Sequence, residues 1–433
     1  MNILCISKNL SGGDLFYRLK KEDHRVKVFI EEKSQRQNLE GMIEKINDWK
    51  KELKWVGKSG LIIFDSTGYG KVQDELRSQG YSVVGGSEKG DKLENVRQYG
   101  QKILSACGIG LVPSTIFNSA GSAINFLKRN KGPWVLKADG NVQKGFNYVG
   151  KLANNEDVIN ILKNYGRNSR EDCAHIELQK KVEGIEIGVG RYFNGTDWAG
   201  PIEINVEHKD LFNGNLGPKT FEMGTLMWYD DNEKNKLFQK TLAKLKNYLQ
   251  SVNFRGDVDI NCIVNRNKIY PLEFTARFGF PALQLHCEIH KSPWGRFLKA
   301  VADGKPYNLQ YKKGYGIVVL VATPPFPYEV RARKYYPIGI DLLFKNIGQE
   351  DMNHIHFEEI SKRKNKKRDR YYISSKTGFV LHVTGMGKTV EEAREKTYGL
   401  IKKIIIPKMF YRTDIGLKFI QEDRKKLKEW GWI

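Results

Sequence analysis

The residues best suited to do chemistry lie in one stretch of alternating polar and apolar residues, Asp257–Gly279. Two strand-like runs, Asp257–Val264 and Ile269–Thr275, flank a turn and predict a β-hairpin. Side chains alternate between the two faces of a strand. This spacing puts Asp257, Asp259 and Asn261 on one face of the first strand. It puts Glu273, Thr275 and Arg277 on one face of the return strand.

If these two faces coincide, carboxylates converge beside an arginine. Mg²⁺ prefers hard oxygen ligands and commonly shares them with the phosphates of ATP. The converging carboxylates are therefore a candidate magnesium site, and Arg277 could neutralise a phosphate or an acyl phosphate. The residues alone leave open a plainer interpretation, a solvent-facing hairpin with alternating charges.

A second candidate segment carries a lysine on a strand followed by a glycine-containing loop. It runs from Val135 through Lys137 to Lys144 and Gly145. Such a loop can hold a triphosphate with backbone N–H groups and one ammonium group. Glycine-containing turns are common, so a surface hairpin is the alternative interpretation.

The first hundred residues alternate short apolar runs with helix-like stretches. Strands are predicted at Asn2–Ser7, Arg25–Ile30, Leu61–Phe64 and Ser82–Val84, and helices at Gly13–Lys21 and Lys71–Gln79. This alternation predicts an α/β unit with a parallel sheet. A single amphipathic helix is predicted over Lys92–Cys107, because its apolar residues fall near one face.

Five parts are expected along the chain: residues 1–110, 111–185, 186–313, 314–416 and a basic, helical tail at 417–433. The second part contains the strand Trp134–Lys137 and the third contains the candidate hairpin. The fourth ends with a helix that begins after Thr389, whose side chain is the expected N-cap.

The composition bounds the possible functions. The 433 residues carry a net charge of +22, with 40% hydrophobic and 28% charged residues, which is typical of a globular enzyme. The five scattered cysteines predict neither a disulfide scaffold nor a zinc site. His286 and His290 share a helical face, but no third or fourth metal ligand is evident, so packing roles are expected.

Location and macromolecular partners follow from the same composition. We expect no membrane span and no signal peptide, and therefore a cytoplasmic protein. The basic run Lys362–Arg368 is predicted to be a solvated loop. It has no interleaved aromatic residues, so nucleic-acid binding is not indicated, although the charge leaves it open.

Several motifs, in the same order, resemble the phosphoribosylamine–glycine ligases, which are ATP-grasp enzymes of purine synthesis. Leu136–Gly140 resembles the family's V-K-A-D-G, and Leu272–Gly279 resembles L-E-F-N-x-R-F-G. Further similar stretches are Val182–Glu186, Glu207–Lys209, Gly217–Gly224, Val383–Gly387 and Phe410–Gly416. The resemblance runs through almost the whole chain.

This resemblance implies an α/β and α+β multidomain fold. A Rossmann-like pre-ATP-grasp domain would precede the small lid and large subdomains of an ATP-grasp fold, with an α+β domain after them. It implies ATP and Mg²⁺ as cofactors, with Mn²⁺ as a possible substitute. The reaction would join a small-molecule carboxylate to an amine through an acyl phosphate, most simply glycine to phosphoribosylamine. The protein would be a monomer or a homodimer.

The resemblance also assigns roles to individual residues. Lys137 and Arg97 would bind the ATP phosphates, and Lys144 and Gly145 would belong to a loop that covers them. The backbone of Lys181 and Val182 would meet the adenine, and Glu186 would accept the ribose hydroxyls. Glu273 would bind Mg²⁺ with Thr275, and Asp259 stands where other ATP-grasp enzymes keep an acid. Arg277 would act on the transferring phosphoryl group, and the substrate positions would be Lys219, Thr220, Met223 and Gly224.

The departures from the family lie in the acceptor site. The family's G-G-R-E-H-A turn is Ser7–Asp14 here, and its V-G-P-E is Phe64–Thr67. The family's N-T-G-G becomes Lys219–Glu222, and F-G-D-P-E becomes Phe278–Ala282. These departures leave open a ligase that joins an amino acid to another nucleotide-like amine. The charge of +22 and the basic run leave open a non-catalytic ATP-grasp protein that binds nucleic acid.

Overall fold

The start of the chain forms an α/β unit, as predicted. Its five strands form a parallel sheet, and helices alternate with them along the sequence. The computed structural model describes residues 1–138, 147–168, 176–364 and 369–433. The first sheet has the order β3-β2-β1-β4-β5. Its elements are β1 (Asn2–Ser7), α1 (Gly13–Lys21), β2 (Arg25–Ile30), β3 (Glu44–Ile46), α2 (Leu53–Val56), β4 (Leu61–Phe64), α3 (Gly70–Ser78) and β5 (Val83–Val84).

The prediction of a single helix over Lys92–Cys107 is wrong, because two helices occupy this stretch. They are α4 (Glu88–Asn95) and α5 (Arg97–Ala106). Val96 separates them with φ −122° and ψ 89°, outside the helical region. Its side chain is half exposed, so it does not share the buried face that the apolar spacing suggested. Helix α5 consequently begins at Arg97.

A small antiparallel sheet follows, with the order β6-β9-β7-β8. Its apolar side chains form a separate core with those of two covering helices. Its elements are β6 (Ser114–Phe117), α6 (Ala120–Arg129), β7 (Trp134–Ala138), β8 (Tyr148–Val149), α7 (Glu156–Asn168) and β9 (Ile176–Lys180).

The largest sheet has eight strands in the order β14-β13-β10-β11-β12-β15-β20-β17. Two fifteen-residue strands at its centre, which the sequence analysis did not predict, form a long hairpin. The elements up to residue 302 are β10 (Ile185–Asn194), β11 (Trp198–Phe212), β12 (Leu216–Asp230), α8 (Lys236–Lys240), α9 (Lys246–Ser251), β13 (Arg255–Val264), β14 (Ile269–Thr275), α10 (Ala282–Ile289) and α11 (Trp294–Ala302).

The remaining elements extend this sheet and cover it. They are β15 (Tyr315–Ala322), β16 (Leu343–Phe344), α12 (Gln349–Asn353), β17 (Ile355–Phe357), β18 (Ile360–Arg363), β19 (Arg370–Ile373), β20 (Phe379–Gly387), α13 (Val390–Ile401), β21 (Ile404–Ile405) and α14 (Arg424–Glu429). Because β15 pairs with β12, the sheet is continuous across residue 313. The predicted cap is confirmed, since the Thr389 side chain accepts a hydrogen bond from the Glu392 N–H.

The tail beyond Gly416 is helical, as predicted, and it packs against the eight-stranded sheet. A π-helical turn at Phe419–Asp423 leads into α14. Trp432 is almost fully buried, and its indole N–H donates to the Asn265 carbonyl at 2.8 Å. The tail therefore holds the turn between β13 and β14. Across the described ranges, no helix is both long and apolar enough to span a membrane.

Candidate functional site

The hairpin of β13 and β14 brings its polar faces together as the alternation predicted. Asn261 pairs with Glu273 and Asp259 pairs with Thr275 across the two strands. Paired residues on neighbouring strands point to the same side of a sheet. The polar side chains of both strands therefore share one face, next to β10.

Lys209 of β11 occupies the centre of an ionic network on this face. Its ammonium group lies 2.8 Å from a Glu207 oxygen and 2.5 Å from a Glu273 oxygen. Asn261 donates a hydrogen bond to Glu207 at 2.8 Å. Burial alone would lower the pKa of Lys209, but these glutamates raise it well above the usual value. A cation is thus held between two carboxylates at the exposed end of the hairpin.

Lys137 of β7 faces the same region from the small sheet. Burial, together with the nearby Arg97, lowers the pKa of Lys137 to about 8. Glu177, Glu273 and Glu186 oppose this effect. Lys137 therefore lies within electrostatic range of Arg97, Glu186 and Glu273, which come from three other elements of the chain.

Arg97 connects the small sheet to the large one. It forms an ion pair with Glu177 of β9 and donates to the Leu272 carbonyl of β14 at 3.2 Å. A cavity of about 60 Å³ lies beside it, between the two sheets. Glu94, Gln179 and Glu273 contribute to its lining. The restart of the helix at Val96 places Arg97 at this junction.

The segment between the two sheets contains Lys181 and Val182, whose backbone was predicted to meet the adenine. The Lys181 N–H donates to the Pro133 carbonyl at 3.1 Å, which attaches this segment to the small sheet. Val182 is half-buried, and the Glu186 side chain is exposed. A second cavity, of about 100 Å³, is lined by Glu186, Lys209, Lys219 and Lys418 among others. The tail therefore contributes Lys418 to the surroundings of Glu186.

Arg277 lies just beyond β14 and is paired with an acid of α4. Its Nε atom is 3.1 Å from a Glu94 oxygen, and the second Glu94 oxygen accepts from the Ala276 N–H at 2.9 Å. Burial raises the pKa of Asp65, at the end of β4, and the charge of Arg277 is among the effects that oppose this shift. Arg277 is therefore positioned between the hairpin and the first sheet.

Asp259 belongs to a buried polar layer that the sequence analysis did not predict. The Asn205 amide donates to Asp259 at 3.0 Å and to Glu203 at 2.8 Å. His286 lies 2.5 Å from Glu203. Burial raises the pKa of the neighbouring Asp257 to about 7, and Glu203 adds to this effect. The expectation that His286 packs in the interior is borne out, because it is fully buried.

Two glycines of β10 make room for this layer. A Cβ atom at Gly188 would lie 2.1 Å from the Asn205 side-chain oxygen. A Cβ atom at Gly190 would lie 3.1 Å from oxygens of both Asp259 and Glu203. The alternating glycines were the sequence signal from which this buried polar layer could have been predicted. Glycine inside a strand often marks a close approach by other groups.

Two family models match most of the chain beyond residue 94. The model of the phosphoribosylglycinamide synthetase ATP-grasp (A) domain matches residues 95–282. The model of the C domain of the same synthetase matches residues 316–418. The chain belongs to the phosphoribosylglycinamide synthetase family.

Relatives and solved structures agree with this family. The phosphoribosylamine–glycine ligase of Clostridium acetobutylicum is 24% identical over 80% of this chain and 81% of its own length. That of Helicobacter pylori strain J99 is 25% identical over 81% and 80%. The crystal structure of the Thermotoga maritima ligase superposes with a TM-score of 0.70 at 20% identity, covering 96% of this chain and 100% of that one.

Campylobacter jejuni biotin carboxylase shares the fold more distantly. Its complex with an ATP analogue superposes with a TM-score of 0.63 at 11% identity, over 99% of this chain and 98% of that one. The predicted family, the ATP-grasp fold and the class of ATP-dependent ligase are therefore confirmed. The individual site residues and the domain boundaries stay predictions.

The four predicted substrate positions of this synthetase-family chain do not lie together. Lys219 is paired with Asp210 at 2.9 Å, and the Thr220 hydroxyl donates to the Lys209 carbonyl at 2.8 Å. Both therefore lie near the turn of the long hairpin. The Met223 side chain is fully buried in an apolar cluster, and a Cβ at Gly224 would lie 2.5 Å from the Val318 carbonyl oxygen. Lys144 and Gly145 fall outside the described residues.

The oxygen donors near Glu273 suit a magnesium ion that shares its ligands with phosphates. ATP-grasp enzymes use ATP together with Mg²⁺. Glu273 offers an exposed carboxylate and Thr275 a hydroxyl on the same face, and Asp259 pairs with Thr275. In the described part of the chain, no three Asp, Glu, His or Cys side chains converge closely enough to hold a metal alone. The remaining ligands would come from the nucleotide.

Proposed function

We propose that this chain joins glycine to phosphoribosylamine with hydrolysis of ATP to ADP and phosphate, forming glycinamide ribonucleotide. The observation that carries this proposal is the meeting of Lys137, Arg97 and Glu273 between the small and the large sheet. Two cations from one side and a carboxylate from the other match the needs of a bound metal–triphosphate. The names of the curated relatives support the choice of substrates.

The proposed reaction proceeds in two steps. The glycine carboxylate attacks the γ-phosphorus of ATP, so that an acyl phosphate forms and ADP leaves. The amino group of phosphoribosylamine then attacks the acyl carbon and displaces inorganic phosphate. Lys137 and Arg97 bind the phosphates and hold them in line, while Arg277 stabilises charge on the transferring group. Each of these cations already has a partner carboxylate nearby.

Glu273, with Thr275 and Asp259, would hold Mg²⁺, or Mn²⁺ in its place. When bound, the metal neutralises phosphate charge and orients the triphosphate. Glu186 would accept the ribose hydroxyls, the backbone of Lys181 and Val182 would meet the adenine, and Lys144 with Gly145 would cover the phosphates. Substrate contacts are proposed at Lys219 and Thr220, which lie near the turn of the long hairpin. For Met223 and Gly224 only a supporting role behind them remains, because both are buried.

The test measures magnesium-dependent ADP release with glycine, with and without phosphoribosylamine generated in place. ADP that appears only when both substrates are present supports the proposal. ATP binding without ADP release from this pair would contradict the proposed substrates. Failure to bind ATP would contradict the ligase activity altogether, and salt-sensitive binding of DNA or RNA would then support the non-catalytic alternative.

A further inference from the structure

The C-terminal tail forms one wall of the cavity of about 100 Å³ that lies beside Glu186. The tail contributes Lys418, Phe419 and Asp423 to the lining, and most of the remaining lining comes from β10, β11 and β12. A cavity of this volume can hold several water molecules, so it has room for a polar part of a ligand. No step of the proposed reaction uses the tail.

The neighbours of Lys418 fix its position at this cavity. The next residue, Phe419, is almost fully buried, and the centre of its ring lies 5.4 Å from that of Trp228. Both side-chain oxygens of the buried Asp423 lie 2.8 Å from the Lys418 ammonium group. Since an ammonium group has three N–H donors, the two oxygens of one carboxylate leave one donor for a ligand.

The charged groups of the cavity are arranged in pairs of opposite sign. Each pair joins a lysine to a carboxylate at 2.8 or 2.9 Å: Lys209 with Glu207, Lys219 with Asp210, and Lys418 with Asp423. Glu186 adds a further carboxylate. The lining therefore has no excess of positive charge to attract a phosphate, and it is too polar to suit an apolar ring. A neutral group with several hydroxyls suits it, because a hydroxyl can donate to a carboxylate and accept from an ammonium group.

The cavity borders the site proposed for the triphosphate. Lys209 lines the cavity, and its ammonium group lies 2.5 Å from a Glu273 oxygen. Glu186, which also lines the cavity, is within electrostatic range of Lys137. The ribose of ATP carries hydroxyl groups and is joined directly to the triphosphate. It is therefore the part of the nucleotide that fits this cavity when the phosphates meet Lys137 and Glu273.

We infer that the C-terminal tail is part of the nucleotide site, where the Lys418 ammonium group donates a hydrogen bond to a ribose hydroxyl. This inference deepens the proposed function and rests on it, because it concerns the ATP that the ligase uses. Asp423 positions the ammonium group through their ion pair. A nucleotide that lacks the hydroxyl contacted by Lys418 should therefore bind less tightly, and the tail should determine this preference.

The test measures the dissociation constants of ATP, 2′-deoxy-ATP and 3′-deoxy-ATP, each with magnesium, by isothermal titration calorimetry. For the unmodified chain we expect at least one deoxynucleotide to bind about tenfold less tightly than ATP, which is the size of one hydrogen bond to a charged group. Lys418→Met keeps an unbranched side chain but removes the charge. This variant should bind ATP about tenfold less tightly, and its binding of that deoxynucleotide should change much less, because either change removes the same contact.

Three further variants separate this contact from effects on folding and on overall charge. Lys418→Arg keeps a cation with N–H donors and should keep the preference for ATP. Asp423→Asn removes the carboxylate that positions Lys418 and should reduce the preference. Lys425→Met removes an exposed positive charge from the same tail and should leave all three dissociation constants unchanged.

Two results would overturn the inference and leave the proposed ligase activity standing. One is an equal loss of affinity for all three nucleotides in Lys418→Met, because a contact to one hydroxyl affects only the nucleotides that carry it. The other is unchanged affinity for all three nucleotides in that variant. Failure of the unmodified chain to bind ATP would instead contradict the proposed function, and this inference with it.

Discussion

If Lys137 binds the ATP phosphates as proposed, its low pKa makes ATP binding depend on pH near pH 8. Burial and the positive charge of Arg97 lower this pKa to about 8 in the free protein. Phosphate binds the protonated ammonium form of Lys137. Binding of ATP above pH 8 should therefore be accompanied by uptake of a proton by Lys137. Affinity therefore falls as the pH rises through this value.

The magnitude follows from the fraction of Lys137 that is protonated. With a pKa of about 8, this fraction falls from roughly nine-tenths at pH 7 to roughly one-tenth at pH 9. If only the protonated form binds, the dissociation constant for ATP rises about tenfold over this range, which is ~1.4 kcal/mol. The full tenfold change requires that the bound phosphate raises the pKa of Lys137 to a value near that of an ordinary lysine.

Isothermal titration calorimetry of ATP with magnesium, at several pH values and in buffers of different ionisation enthalpy, measures both affinity and proton uptake. Lys137→Arg is the matched control, because arginine stays protonated throughout this range. That variant should bind ATP with little change between pH 7 and pH 9. A flat profile in the unmodified chain, with no proton uptake, would refute the argument that Lys137 binds phosphate in its charged form.

Three further predictions concern the metal site and the stability of the chain. Glu273→Gln should abolish ADP formation while the circular dichroism spectrum stays unchanged, and Glu395→Gln, at an exposed position, is the control. Normal turnover by Glu273→Gln would contradict the assignment of Glu273 as a metal ligand. Trp432→Ala should lower the free energy of unfolding in urea by about 3–5 kcal/mol, because it empties a buried site, whereas Trp432→Phe should cost less. Burial would raise the pKa of Glu288, but His354 and Lys312 lower it to about 2. This carboxylate should therefore contribute about 3 kcal/mol of stability above pH 4.5, lost as the pH falls towards 2, and acid titration of Glu288→Gln should lack that loss.

The elements that the sequence predicted are those whose local signals agree with their tertiary surroundings. Strands such as Asn2–Ser7 and Ile269–Thr275 are short apolar or alternating runs bounded by turns, and they form as predicted. The register of the candidate hairpin followed from its alternation and its short turn. Thr389 was predictable as a cap because the preference is local and chemical.

Other features depend on partners that are distant in the sequence. The break at Val96 is not marked by glycine or proline, and it arises where the chain passes from the first sheet to the small sheet. The long hairpin of β11 and β12 contains many charged residues, such as Glu207 and Lys209, which obscure the strand pattern. Those charges are stabilised by Asn261 and Glu273 from another hairpin. Nothing near Arg277 in the sequence indicates that Glu94 is its partner.

Arg97 has a consequence for the way nucleotide enters and leaves. A single side chain joins the small sheet, through Glu177, to the large one, through Leu272. The two sheets cannot separate unless one of these contacts breaks. If Arg97 binds the ATP phosphates as proposed, an arriving triphosphate offers it a stronger partner than the neutral Leu272 carbonyl, and entry of the nucleotide then releases this contact between the two sheets. The rate of nucleotide association should then depend on ionic strength through a residue on the route of entry, as well as through the overall charge of +22.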